Sequence, residues 1–116
     1  LNAIEKLRIS SALAGNGIDE STAYASLQKM GLVGREILPV KVLSQGQRRR
    51  VTLARLLVSD TVLWILDEPL VALDTSAVLL VKGILEQHLE KGGMVVMTTH
   101  QDINIAAIET KRLQLN

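Results

Sequence analysis

Cysteine is absent from all 116 residues, which excludes disulfides and thiolate metal sites and fits a reducing compartment. Phenylalanine is absent too, and aromatics make up 2% of the chain, namely Trp64 and Tyr24. A core must therefore come from Leu, Val, Ile, Ala and Met. The same scarcity argues against the aromatic platforms on which single-stranded nucleic acids stack. An excess of one charge is also lacking: 13 Lys and Arg face 12 Asp and Glu, so no strong field steers the chain toward an anionic polymer. Long apolar runs are missing. Residues 62–66 are closed by Asp67-Glu68 and residues 94–97 by Thr98, far short of the roughly 20 apolar residues a membrane-spanning helix needs. The opening Leu1-Asn2-Ala3-Ile4-Glu5-Lys6 has no basic-then-apolar order of a signal peptide and no initiating Met. It reads as a start cut from something longer.

What is present is apolar enough to fold. Hydrophobic residues reach 47%, which excludes a disordered chain, and the length allows one modest core. Ile4, Leu7, Ala12 and Leu13 recur at helical spacing until Gly15-Asn16-Gly17 stops them. Asp19-Glu20-Ser21 opens a second helix with Tyr24, Leu27, Met30 and Val33 as its apolar stripe, ended by Gly31 or Gly34. Residues 38–42 read as an extended connector. A third helix follows to about Leu57, with Val51, Ala54, Leu57 and Val58 on one face. Residues 62–66 have the length and continuous apolarity of a strand covered on both sides. A helix from about Thr75 to Glu90, broken by Gly92-Gly93, leads to a second buried strand over 94–98. A short helix from Asp102 and an edge strand over 111–115 complete the expectation. Strand, helix, strand is the βαβ logic of a parallel α/β sheet, with the helical N-terminal third as a separate layer.

Two short stretches carry chemistry. Leu66-Asp67-Glu68-Pro69 puts adjacent carboxylates at the carboxyl end of a strand, where open α/β sheets place their ligands. There an Asp can hold the water shell of Mg²⁺ and the next acid can polarise an attacking water. By itself the run is equally a solvated turn or a helix start. Upstream, Leu43-Ser44-Gln45-Gly46-Gln47 opens a helix. A hydroxyl, a glycine amide and the free N–H groups of a helix start together make an anion site, though a plain N-cap with a glycine turn has the same letters.

In order and spacing these stretches resemble the ABC-type ATPase family. Leu43 to Gln47 is similar to the signature Leu-Ser-Gly-Gly-Gln, and the likeness continues through Arg50, Val51, Ala54 and Arg55. Asp67 and Glu68 stand where that family has its Walker B aspartate and catalytic glutamate. Ala72-Leu73-Asp74 matches the end of the D-loop, and His100 matches the switch histidine. Gln45 replaces the first signature glycine, and Leu70-Val71 replaces a small polar pair. Neither change removes a charge or the glycine nearest the phosphate. A Gly-x-x-x-x-Gly-Lys-Ser/Thr loop is missing, and no glutamine loop precedes the helical part.

The resemblance implies an α/β fold: part of a P-loop NTPase fold, with a remnant of its parallel sheet and a helical subdomain. Residues 1–42 would be the helical subdomain, and 43–116 the signature helix with the C-terminal half of the catalytic core. It implies ATP and Mg²⁺ as cofactors and a head-to-tail dimer with a second ATPase subunit. Ser44, Gln45, Gly46 and Gln47 would then bind nucleotide held by the partner. Asp67 would hold Mg²⁺ through water, Glu68 would be the general base, His100 would touch the γ-phosphate, and Asp74 would couple the two sites. Permease membrane subunits would be the further partners, at the cytoplasmic face of a bacterial inner membrane. Within the family, the opening residues, Trp64 and Thr99-His100-Gln101 are similar to haem-exporter ATPase subunits of cytochrome c biogenesis. Another transporter, a soluble family member or a non-catalytic fragment needing a P-loop-bearing partner are the alternatives.

Other residues read more plainly. Arg48-Arg49-Arg50 fan around a helix rather than forming one basic face, so a solvated surface or positioning contacts are expected, and no nucleic-acid patch. His88 lies in a polar helix end and reads as solvated. With no Cys or second His beside either histidine, a structural zinc site is not expected.

Overall fold

Asn2 opens the first helix because its side chain can take a donor that the helix start leaves orphaned. Its Oδ1 accepts from Glu5 N at 2.8 Å while Glu5 Oε1 accepts from Asn2 N at 3.0 Å, a reciprocal capping box. In this computed structural model, which describes residues 1–98, α1 spans Ala3–Leu13 and α2 spans Glu20–Lys29, the latter capped by Asp19. A single 3-10 turn, Val40–Val42, leads into α3, Gln45–Val58. Then come β1, Leu63–Asp67; α4, Thr75–Glu90; and β2, Met94–Thr98. The expected helix from Asp102 and the strand over 111–115 lie outside the described residues.

The strands pair in parallel with Leu63 opposite Met94 and Asp67 opposite Thr98, and α4 makes the crossover. Helices α1, α2 and α3 pack on one another, and α3 also touches α4. One core joins all of them: Ile4 and Leu7, Leu27 and Met30, Val51 and Leu53, Trp64 and Leu66, Val81 and Leu85. It is aliphatic apart from Trp64, as the shortage of aromatics requires.

The tertiary structure departs from the sequence reading at five places. Residues 38–42 are not simply extended, because Pro39 bridges Asn2 and the chain then tightens into the 3-10 turn. Val33 is exposed, since Gly31 takes a positive φ of 79° and turns the chain off the α2 stripe. Leu13 is exposed at the C-terminal end of α1. On α3 the buried residues are Val51, Leu53, Ala54 and Leu56, with Leu57 and Val58 only half-buried. This helix is gripped from more than one side, so a single stripe does not describe it.

The strands are the fifth difference. Trp64 and Leu66 face the core, but Leu63 and Ile65 are 44% and 73% exposed, and Met94 and Val96 are 56% and 58% exposed. Among the described residues, helices cover one face of the sheet, and the other is an exposed aliphatic surface.

Candidate functional site

The site is built where β1 ends. Parallel pairing sets Asp67 beside Thr98, and the Thr98 hydroxyl donates to Asp67 Oδ1. The same threonine then holds the next residue: Glu68 N donates to Thr98 O at 3.0 Å and to its Oγ1 at 3.1 Å. Glu68 adopts φ 48° and Ala72 φ 67°, left-handed conformations that L-residues keep only where their surroundings impose them. Pro69 and Leu70 are buried beneath this turn, which anchors its far side in the core.

The amino-terminal turn of α3 approaches the same loop. Ser44 is the N-cap: its Oγ accepts from Gln47 N at 3.0 Å, and Gln47 Oε1 accepts from Ser44 N at 2.9 Å. This capping box engages Ser44 as an acceptor and leaves its O–H able to donate to an anion. Leu43 is buried and pins the loop's start. Gly46 has a role the sequence did not disclose. A Cβ there would stand 2.9 Å from Ala72 O, so glycine is what lets α3 and the 67–74 loop meet.

Arginines complete the seam. Arg49 Nη2 donates to Asp67 O at 3.0 Å and also to Glu68 O. Arg50 donates to Met30 O at 3.0 Å and pairs with Asp74 Oδ1 at 3.3 Å, while Asp74 caps α4 through Ala77 N at 2.8 Å. The basic triplet therefore holds loops in place through two of its members. A cleft of about 540 Å³ lies along the seam, lined by Gln45, Arg48, Arg49, Thr52, Asp67 and Glu68 among others. The structure thus brings Gln45, Asp67 and Glu68 into one cleft. It places Ser44, Gly46 and Gln47 in the turn beside it, and Asp74 at the far end of the loop. His100 lies outside the described residues. Sequence reasoning missed Arg49 and Thr98 as parts of the site. Only the basic triplet directly after the loop hinted at the first, and nothing local hinted at the second.

For a divalent cation, the described residues contain no group of three or more His, Cys, Asp or Glu placed to hold one. Asp67, an exposed carboxylate at a strand end with one oxygen oriented by a hydroxyl, fits the single protein carboxylate by which Mg²⁺ is held when phosphates and waters supply the other ligands.

A family model described as ABC transporter matches residues 2–71. The chain belongs to the ABC transporter family. The matched stretch contains the 44–47 loop and Asp67-Glu68 and ends ahead of Asp74. Among curated family members, the chain is 72% identical over 115 residues to the cytochrome c biogenesis ATP-binding export protein CcmA of Nitrosospira multiformis, covering 99% of this chain and 56% of that protein. It is 63% identical over 116 residues to the protein of the same name from Nitrosomonas europaea, covering 100% and 54%. The chain therefore spans about half the length of these relatives. Among solved ABC transporter structures, an ATP-binding protein from Pyrococcus furiosus, described as a putative ABC transporter, superimposes with a TM-score of 0.76 at 26% identity, covering 92% of this chain and 54% of that one. A dimeric ATP-binding cassette in a post-hydrolysis state, bound to ADP and Pi, gives 0.71 at 27%, covering 87% and 47%. The fold is that of an ABC ATPase cassette in part, as the order of motifs implies.

Proposed function

We propose that this chain is the C-terminal part of an ABC transporter ATPase subunit, coupling ATP hydrolysis to haem export in cytochrome c biogenesis. The observation that carries the catalytic reading is the Asp67-Glu68 pair at the carboxyl end of β1, sharing a cleft with the first turns of α3. The names and high identity of the relatives support the export role. Residues 1–42 act as the helical subdomain and 43–116 as the signature helix and second half of the catalytic core, with α3 the element touching both layers.

Each residue's work follows from its place. Asp67, with its carboxylate oriented by Thr98, holds a hydrated Mg²⁺, which when bound neutralises phosphate charge. Glu68 takes the proton of the attacking water as general base. Ser44, Gln45, Gly46 and Gln47 offer a hydroxyl and helix-start N–H groups to the phosphates of a nucleotide held by a second ATPase subunit, in a head-to-tail dimer. Asp74 couples the sites across that interface, and His100 steadies charge developing on the γ-phosphate. The permease subunits are the remaining partners, at the cytoplasmic face of the inner membrane. No described helix is long and apolar enough to cross a membrane, which suits a peripheral subunit.

Glu68→Gln in the full-length protein tests the reading. The amide keeps the shape and loses the base, so turnover should fall by about a hundredfold or more while ATP still binds and the ATP-bound dimer accumulates. Wild-type hydrolysis would overturn the assignment.

A further inference from the structure

The seam between α3 and the 67–74 loop is tied at three points, and each has a different chemistry. Arg49 holds the start of the loop by the carbonyls of Asp67 and Glu68. Gly46 meets its middle at Ala72 O. Arg50 holds its end at Asp74. All three residues lie in the first two turns of α3, directly after the N-cap Ser44.

We propose that Arg49 is a positioning residue: it fixes the peptide that carries Glu68 and makes that peptide move as one body with the first turn of α3. The proposal rests on the functional reading above and adds to it a residue outside the motifs. On that reading, the 44–47 turn engages one nucleotide of the dimer and Glu68 serves the other. Arg49 is then the intrachain link between the two sites.

Three observations carry this. Glu68 sits at φ 48° and precedes a proline, a combination the backbone does not adopt unaided. It is held on both sides, by Thr98 at its N–H and by Arg49 at its carbonyl. Second, one Arg49 nitrogen reaches two successive carbonyls, while its Nε is buried and has no hydrogen-bond partner among the described residues. A lysine ammonium could still donate to a carbonyl but lacks the reach and planar geometry of the guanidinium, so it replaces this contact only in part. Third, the neighbouring arginines do not share the task, because Arg50 is turned to Met30 and Asp74 and Arg48 is exposed.

Steady-state ATPase kinetics and thermal melts of the full-length protein test it, comparing Arg49→Ala, Arg49→Lys and Glu68→Gln. Loosening the general base should lower kcat of Arg49→Ala by about tenfold or more, since small misplacements at a reacting centre cost that much. KM for ATP should stay within about threefold, because the nucleotide's ground-state contacts are elsewhere. Arg49→Lys should fold and turn over at an intermediate rate. Wild-type kcat in Arg49→Ala, or a fall in kcat matched by an equal rise in KM, overturns the proposal. If Arg49→Ala does not fold, Arg49→Lys decides, and wild-type kcat there overturns it. Glu68→Gln separates the two levels of inference. If that variant retains turnover, the functional reading falls. If it loses turnover while Arg49→Ala keeps it, only the role of Arg49 falls.

Discussion

The indole of Trp64 lies flat on the imidazole of His88, with ring centroids 3.6 Å apart and planes within 6°. The sequence reading of His88 as merely solvated is corrected by this stack and by the hydrogen bond between His88 Nε2 and Val62 O at 2.7 Å. The end of α4 is thereby fastened to the start of β1, at the opposite end of the strand from Asp67. Gly93 packs beneath the ring, where a Cβ would meet His88 Nε2 at 2.3 Å.

His88→Ala should therefore destabilise the full-length protein by about 1–3 kcal/mol, the sum of a stacked pair and a hydrogen bond. Gly93→Ala should act in the same direction by pushing the ring off its seat. Trp64→Phe keeps a ring and removes a buried indole N–H that has no hydrogen-bond partner among the described residues, so it should cost less, under about 1.5 kcal/mol. Urea melts rank the three, and a His88→Ala variant as stable as wild type would show that the stack contributes nothing.

Gly31→Ala should cost about 1–2 kcal/mol. Its φ of 79° is strained for alanine, and the new methyl would stand 2.3 Å from Arg50 Nη1. Displacing that guanidinium releases both Met30 O and Asp74. The check is whether Arg50→Ala made on top of Gly31→Ala adds less than it does alone, as shared partners require.

Ser44→Arg should weaken ATP-driven dimerisation without unfolding the subunit. On the proposed reading the change puts bulk where a phosphate oxygen approaches the helix start, and it removes a cap whose loss costs about 1 kcal/mol. Analytical ultracentrifugation with ATP, in a Glu68→Gln background, reads the outcome. Undiminished dimers would reduce the 44–47 turn to the cap it also is.

The chain of residues 1–116 by itself should neither hydrolyse ATP nor bind it tightly. On the proposed reading the residues it contributes act late, on the γ-phosphate and the water, and the amide cradle and lysine of a P-loop are absent from its sequence. The bare sheet face of Ile65, Val96 and Met94 should drive self-association. Light scattering should show oligomers, and melts with Mg-ATP should show no shift, because a ligand stabilises only what it binds. Micromolar affinity with turnover would mean that the phosphate site lies elsewhere.

What the sequence determined by itself is whatever depends on neighbours along the chain. The bounds of α4 were legible because Asp74 caps its start and Gly92 stops its end, both within a few residues of the turns they serve. The capping letters of Ser44 and Gln47, and the strand that delivers Asp67-Glu68, were legible for the same reason. Tertiary structure alone decided which face of that strand is covered, since an unbroken apolar run looks identical with one partner or two. It alone decided that Thr98 orients Asp67 across 31 positions, that His88 reaches Val62 across 26, and that Arg49 reaches Glu68 across 19. Such contacts are set by strand register and helix packing, which no local pattern of residue types encodes.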